Sequence, residues 1–429
     1  MHHHHHHGGS GTQISHKLRI GALLCLIITG FGVGMSQAAI TFNITAGPTT
    51  LTMPDGAVID AWGFALVSTD INGAVTLGQG IVKVPGDPLI VPPTETTVTI
   101  NLTNNLPEPV SLTILGQVLT PAGGPVWTSG LNSSVSATGA RNANDYVSRV
   151  RSFAHEAPAG GVATYTWNNF RAGTYLLQSG TNPAKQVQMG LYAAIKKDTA
   201  PGEAYPGVPY TRELILVYSE IDPIIHAAVT TGNFGPSGTI TSSLHRDPKY
   251  FLINGMAFDS SQPGGGLDPV VFVDPFDKLL VRSINAGYEP HVPQLLNMYM
   301  KTVAEDGNPY IYPKHQYGFQ LPAGKSIDAI LEPTTDGRYS IHDAALHLTN
   351  NGAASPGGML AYYGVSCVGD LDYSGTVNFE DLAILRANFF AECTLGTPCT
   401  GDINKDGFVN FTDMGLLRAN FFRGGCPVP

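Results

Sequence analysis

The chain has 429 residues, 50 of them Gly and 31 Pro, and only 13% of it is charged. Its formal charge of −10, from 23 Lys and Arg against 33 Asp and Glu, argues against a nucleic-acid backbone as partner. With 43% apolar residues and no short repeat period, the composition points to a loop-rich, mainly β protein of two or three domains, neither disordered nor collagen-like.

Residues 1–16 open with six consecutive His and a Gly-Gly-Ser-Gly spacer, an affinity tag that carries no functional information. In residues 17–38, Lys17 and Arg19 precede an apolar run, Ile20 to Met35, which ends at Ser36-Gln37-Ala38. A charged start, a run short for a bilayer and a small-x-small end make a signal peptide. The expectation is therefore a protein that is secreted or held at the cell surface, with no membrane span after cleavage. The four Cys beyond that segment, Cys367, Cys393, Cys399 and Cys426, fall within the last 63 residues, and in an exported module they read as disulfides.

Residues 39–197 carry short runs rich in Val, Thr, Ile and Leu, bounded by Gly, Pro, Asn or Asp: Ala57–Ser68, Val75–Val84, Thr97–Thr103, Val110–Leu119, Ala163–Trp167, Gly173–Gln178 and Met189–Ile195. Strands at this spacing predict a sandwich or barrel. Residues 198–209 read as a Pro/Gly linker. Residues 210–366 repeat the style with Glu213–Tyr218, Tyr250–Ile253, Val270–Val273, Leu279–Asn285, Met298–Ala304, Ile327–Glu332 and Met359–Gly364. Thr97-Val-Thr-Ile-Asn-Leu-Thr-Asn104 and Leu279-Leu-Val-Arg-Ser-Ile-Asn285 echo each other, so two similar sandwiches in tandem is the simplest account.

Residues 367–429 hold a true repeat, one copy starting at Gly369 and the other at Gly401, each ending in Arg-Ala-Asn-Phe-Phe. Oxygen-bearing residues fall at loop positions 1, 3, 5, 9 and 12: Asp370, Asp372, Ser374, Asn378, Asp381, and Asp402, Asn404, Asp406, Asn410, Asp413. Thr376 and Phe408 take position 7, where a backbone carbonyl suffices, and Gly375 and Gly407 take the sharp turn at position 6. Calcium needs six to eight hard oxygens around one point, and this alternation supplies them for two ions. A helix is expected after each loop, with Phe379, Leu382, Leu385, Phe389 on one stripe and Phe411, Met414, Leu417, Phe421 on the other.

This duplicated loop and helix resembles a type I dockerin domain. The resemblance implies calcium-dependent folding and docking onto a cohesin-like or other extracellular protein, with partner-reading positions near Phe379-Glu380 and Phe411-Thr412; self-assembly is the other interaction considered. Three pairings of the four Cys are possible, and the favoured one joins Cys367 to Cys426 and Cys393 to Cys399.

The two preceding blocks resemble the first two cupredoxin domains of bacterial multicopper oxidases. The phrases that carry this include Gly173-Thr-Tyr-Leu-Leu-Gln-Ser-Gly-Thr181, Phe251-Leu-Ile-Asn-Gly255, Leu280-Val-Arg-Ser-Ile-Asn-Ala286, Ala304-Glu-Asp-Gly307 and Pro356-Gly-Gly-Met-Leu-Ala361. The resemblance implies two Greek-key β-sandwiches, with the dockerin standing in place of a third cupredoxin domain. It does not bring the copper. The family's first His-x-His falls on Thr113 and Leu115, and its His-Ser-His falls on Gln178 and Gly180. Seven His follow residue 38, none spaced as His-x-His, and no Cys lies between there and Cys367. A blue site needs two His and a thiolate, and a symmetric trimer cannot supply ligands that every copy lacks.

The expectation is thus a calcium-binding, non-catalytic structural or interaction protein, with copper not expected. Two alternatives stand beside it. One is a copper-dependent oxidoreductase, laccase-like or a metal oxidase, with an atypical site drawn from His291, His342 and His347, near Met298 and Met300. The other is a module binding polysaccharide or a small ligand. Neither Ser129 nor Ser374 completes a nucleophile elbow. A carboxylate pair of Asp306 with Asp328 or Glu332 is also conceivable, against the plainer reading of a turn.

Overall fold

The computed structural model describes residues 38–121, 126–127, 150–235, 238–261, 266–353, 356–393 and 399–429. The tag, the residues before Ala38 expected as a signal peptide, and Ser129 lie outside them.

The N-terminal sandwich is built from a five-stranded and a four-stranded sheet. In spatial order the first contains Ala74–Leu77, Val58–Ile71, Ala39–Thr52, Thr97–Asn104 and Val162–Trp167. The second contains Gly86–Val91, Tyr192–Lys197, Gly173–Ser179 and Leu112–Ile114. Strands of the first sheet alternate buried and partly exposed residues, as a sheet wetted on one face must. Gly173–Ser179 and Tyr192–Lys197 are instead buried almost throughout. Tyr175, Leu177, Ala193 and Ile195 face the sandwich core, while Leu176, Tyr192 and Ala194 pack outward with Val217, Ile284 and Ala286 of the second sandwich.

That second sandwich has a six-stranded sheet, in the order Tyr250–Ile253, Arg212–Ile221, Leu279–Asn285, Ser326–Leu331, Met300–Glu305 and Asn308–Gln316. Its facing sheet holds Val271–Val273, Leu360–Val365, Gly337–Asp343 and Pro293–Leu295. The echo between the blocks has a structural cause. Thr97–Asn104 and Leu279–Asn285 each run parallel to the first long strand of their sandwich and antiparallel to the next. Each ends in a fully buried Asn, Asn104 or Asn285, whose amide donates to a carbonyl four residues on and whose oxygen accepts the backbone N–H two residues on. The side chain replaces backbone partners lost where the strand stops.

Between the sandwiches lies a buried ion network. Arg282, with no exposed surface, pairs with Asp198, with Glu213 at 2.6 Å and with Asp328 at 3.4 Å, and donates to Thr174 Oγ1. Arg282 and Asp328 sit opposite one another on neighbouring strands. The stretch expected as a linker is folded into this junction: Glu203–Tyr205 and Val208–Pro209 form a hairpin, and buried Tyr205 donates its hydroxyl to Asp328. Asp306 pairs with Lys325 and Asp328 with Arg282.

Several expected strands are shorter. Val75–Val84 yields only Ala74–Leu77, and Val110–Leu119 only Leu112–Ile114. The opening strand Ala39–Thr52 and the exposed edge strand Asn308–Gln316 add to the expected set.

Helices Phe379–Ala387 and Phe411–Ala419 follow the two C-terminal loops. Leu385 and Leu417 are buried at the centre of a small core with Val377, Val409 and Ile403. Phe379 and Phe411, placed on the apolar stripe by periodicity, are 67% and 70% exposed. Disulfides join Cys367 to Cys426 and Cys393 to Cys399.

Candidate functional site

The two repeats fold alike and share most of their loop hydrogen bonds. Asp370 accepts the N–H groups of Ser374 and Gly375, and Asp402 those of Asp406 and Gly407. Asp372 accepts from Ser374, and Asn404 from Asp406. Asp381 accepts from Leu371, Asp372 and Asn378; Asp413 accepts from Ile403, Asn404 and Asn410. Asn378 and Asn410 cap the helices in reciprocal boxes with those same Asp residues. The chain turns at Gly375 (φ 84°) and Gly407 (φ 95°), a backbone region that costs Gly nothing.

In the first loop, one carboxylate oxygen from each of Asp370, Asp372 and Asp381 lies within 4.8 Å of the others. Asp370 and Asp381 are buried, as are Asp402 and Asp413. Burial, with the charge of Asp381 added, pushes the Asp370 carboxyl up to about 6, and burial likewise raises Asp402. Like charges held close in this way favour the protonated form of one of them.

The repeats interlock about a local two-fold. Phe390 N–H donates to Val409 and Phe422 N–H to Val377, each tying one repeat's tail to the other's loop. Phe379 stacks edge-on against Phe421, and Phe411 against Phe389. The outer face shows a hollow of 380 Å³ lined by Phe379, Leu382, Arg386, Met414, Arg418 and Phe421. Phe390 and Phe422 are more than three-quarters exposed beside it. Both loops also reach the second sandwich through position 4. Tyr373 donates its hydroxyl to Asp274 Oδ1, and Lys405 Nζ lies 3.0 Å from Asp274 Oδ2. Arg423 adds an ion pair to Asp336.

Three of the four positions matched to copper ligands, Thr113, Gln178 and Gly180, lie together at one corner of the first sandwich. Gln178 pairs with Thr113 across neighbouring strands, and a Cβ on Gly180 would press on Ser111 and Thr113. What lies there is a hydroxyl network: Ser111, Ser152 and Thr181 within 3.0 Å of one another, with Thr181 donating on to Glu156. Leu115 packs partly buried between the sandwiches.

The remaining His divide by environment. His155 stacks on Tyr165, and buried His226 bonds the Asp60 carbonyl through Nδ1. His291 and His347 meet across Asp343, whose Oδ2 lies 3.1 Å and 2.5 Å from their Nδ1 atoms. His342 does not join them. It precedes Asp343 on the strand, so its side chain points to the opposite face. Met298 is also engaged elsewhere, accepting from the Tyr363 hydroxyl. Sequence reasoning missed Asp343, which lies between His342 and His347 but carries no motif, and Glu220, which is distant from them in sequence.

No protein-family model matches this sequence, and no curated protein does. Among solved structures, the chain is similar to a blue copper oxidase from Nitrosomonas europaea, with TM-score 0.55 and 21% identity over 76% of this chain and 85% of that one. It is similar to the multicopper oxidase mgLAC at TM-score 0.53 and 20% identity, covering 86% of that chain. A copper nitrite reductase from Nitrosomonas europaea follows at TM-score 0.52 and 17% identity, with 94% of its length covered. The structural neighbours are multicopper oxidases of cupredoxin fold, and at these identities the likeness is one of fold. It covers 85%, 86% and 94% of those three chains.

Proposed function

We propose that this chain is an exported, calcium-ordered, non-catalytic interaction protein, in which a cupredoxin-type body carries a dockerin-like module at its C-terminus. The observation that carries the proposal is the pair of matched loops, each converging buried carboxylates in front of a helix that holds an exposed aromatic face. The residues fit calcium. Asp370, Asp372, Ser374, Asn378 and Asp381 would hold one ion, with the Thr376 carbonyl; Asp402, Asn404, Asp406, Asn410 and Asp413 would hold the other, with the Phe408 carbonyl. When bound, the ion supplies charge that offsets the clustered carboxylates. The chain's own residues do the rest: the Asn–Asp boxes fix the helix starts, and the interlocked Phe pairs fix the face. An apolar patch flanked by Arg386 and Arg418 suits a protein surface with acidic and apolar groups, whether cohesin-like or a second copy of this chain.

The residues do not fit the multinuclear copper implied by the oxidase fold. At the matched corner the donors are hydroxyls and a Gln amide, and His155 and His226 are committed to backbone carbonyls. No step of oxidase chemistry is therefore assigned to this chain.

Elemental analysis of tag-free protein, after loading with calcium and copper, tests the proposal. Two calcium ions per chain and no multinuclear copper are expected. A chain that retains no calcium, or that reduces dioxygen with a phenol as donor, overturns it. Binding to a cohesin panel and self-association, each compared in calcium and in chelator, then decide the partner.

A further inference from the structure

We infer that His291, His347 and Asp343 form a mononuclear site for a divalent transition-metal ion in the second sandwich, with Glu220 orienting His291 from behind. The site is independent of the calcium loops and shares no residue with them.

The construction begins with strand parity. Asp343 closes the strand Gly337–Asp343 facing inward, opposite Pro293, and His291 enters two residues before that partner. Asp343 Oδ1 is held by the N–H groups of Val292 and Ala345, so Oδ2 is fixed toward the imidazoles. His347 is returned to the same point by a turn in which Leu346 takes φ 64°, a strained conformation for a side chain branched at Cγ, while its own side chain is 72% exposed. Packing of Leu346 does not explain that strain; placing His347 Nδ1 beside Asp343 does. One ligand atom from each of the three lies within 4.8 Å of the others.

Glu220 gives the second, independent sign. Its Oε1 accepts the N–H groups of Tyr288 and Glu289, whereas Oε2 has no partner and faces the equally unpartnered Nε2 of His291 at 3.5 Å. Both side chains are wholly buried. Gly287 makes the room, since a Cβ there would lie 1.8 Å from Oε2. A carboxylate behind the far nitrogen would accept a hydrogen bond from the Nε2 proton and turn the Nδ1 lone pair toward the ion, the arrangement that metal-binding His residues use.

Charge makes the same point. Asp343 and Glu220 are both buried, and their ion-pair partners among the described residues are imidazoles alone. One imidazolium offsets one carboxylate; a divalent ion between neutral imidazoles offsets both. Two nitrogens and a carboxylate oxygen, with no thiolate and the Met298 thioether engaged, suit zinc, cobalt or iron(II) and do not make a blue copper site. His347, 24% exposed and stacked on Phe251, is the side from which an ion enters.

The test is equilibrium dialysis of the tag-free chain against Co²⁺ in saturating calcium, followed by visible spectroscopy. One cobalt per chain with ligand-field bands of a nitrogen–oxygen site is expected. His347→Ala, at a partly exposed position, should lose the band while keeping the calcium response. Glu220→Gln should weaken cobalt binding roughly ten- to a hundredfold, as loss of an outer-shell partner does. Wild-type protein that retains no cobalt overturns the inference, showing that the cluster holds protons only. So does a His347→Ala chain that binds cobalt as tightly as wild type.

Discussion

Asp372 and Asp406 separate a metal role from a structural one, because both are exposed at the loop rims. Asp372 accepts one backbone hydrogen bond, from Ser374 at 3.0 Å, and Asp406 one from Phe408 at 3.0 Å beside a side-chain bond from Asn404 at 2.8 Å. Losing such a bond at an exposed position costs at most about 0.5–1 kcal/mol. Removing Asp372 also relieves its repulsion with Asp370 and Asp381, so in chelator the variants should be near neutral. With calcium the balance changes. Free ion at a hundred times its Kd stabilises a loop by about 2.7 kcal/mol, hence about 5 kcal/mol for the pair. Asp372→Ala should halve the calcium-induced stabilisation, and Asp372→Ala with Asp406→Ala should abolish it. Hydrogen exchange at the buried amides of Val377 and Val409 reads this locally, in chelator and in calcium. An unchanged calcium response in the double variant would refute the loop assignment. A loss of several kcal/mol already present in chelator would mean that these carboxylates are structural.

Three further outcomes follow. Because Asp370 sits at about 6 in the folded chain against 3.8 ordinarily, the ion-free state loses stability as pH rises between those values, and calcium must displace that proton. Calcium affinity should therefore climb as pH rises through about 6 and level off above; titration calorimetry giving a flat profile there would contradict it. Arg282→Met should cost about 3–5 kcal/mol in urea unfolding, since it strands Asp328, whose carboxyl burial already raises. Adding Asp328→Asn should recover part of the loss, and no recovery would argue against the pair. Replacing Cys367 and Cys426, 59 residues apart, should destabilise the module by about 4 kcal/mol, against about 2 kcal/mol for the six-residue Cys393–Cys399 loop. Equal losses in thermal unfolding would count against the loop-entropy account.

The β architecture was legible because half-buried strands such as Thr97–Asn104 alternate in sequence as they do in space. Ala39–Thr52 escaped notice because Gly47 and Pro48 interrupt its apolar period, although pairing along its whole length overrides them. The supposed linker misled for a related reason: its Pro and Gly residues mark a hairpin, and the burial of Tyr205 against Asp328 is a long-range event that no local pattern records. The duplicated loops and their helices were readable residue by residue, since their hydrogen-bond partners are local. The exposure of Phe379 and Phe411 was not, because helical spacing says which residues share a face and not what covers it. His291, Asp343 and Glu220 come together from three strands' ends, and only the fold brings them within reach.

The contact of Tyr373 and Lys405 with Asp274 has a mechanical consequence. Only Ser366 separates the last sandwich strand from Cys367, so no tether intervenes between body and module. A protein seated on the aromatic face would hold the whole body at a set angle, instead of letting it swing as a Gly/Ser spacer would permit. Neighbouring copies recruited to one scaffold would then stand in fixed register. Avidity would depend on whether the scaffold's spacing matches that stance, a geometric criterion that a flexible chain could evade and this one cannot.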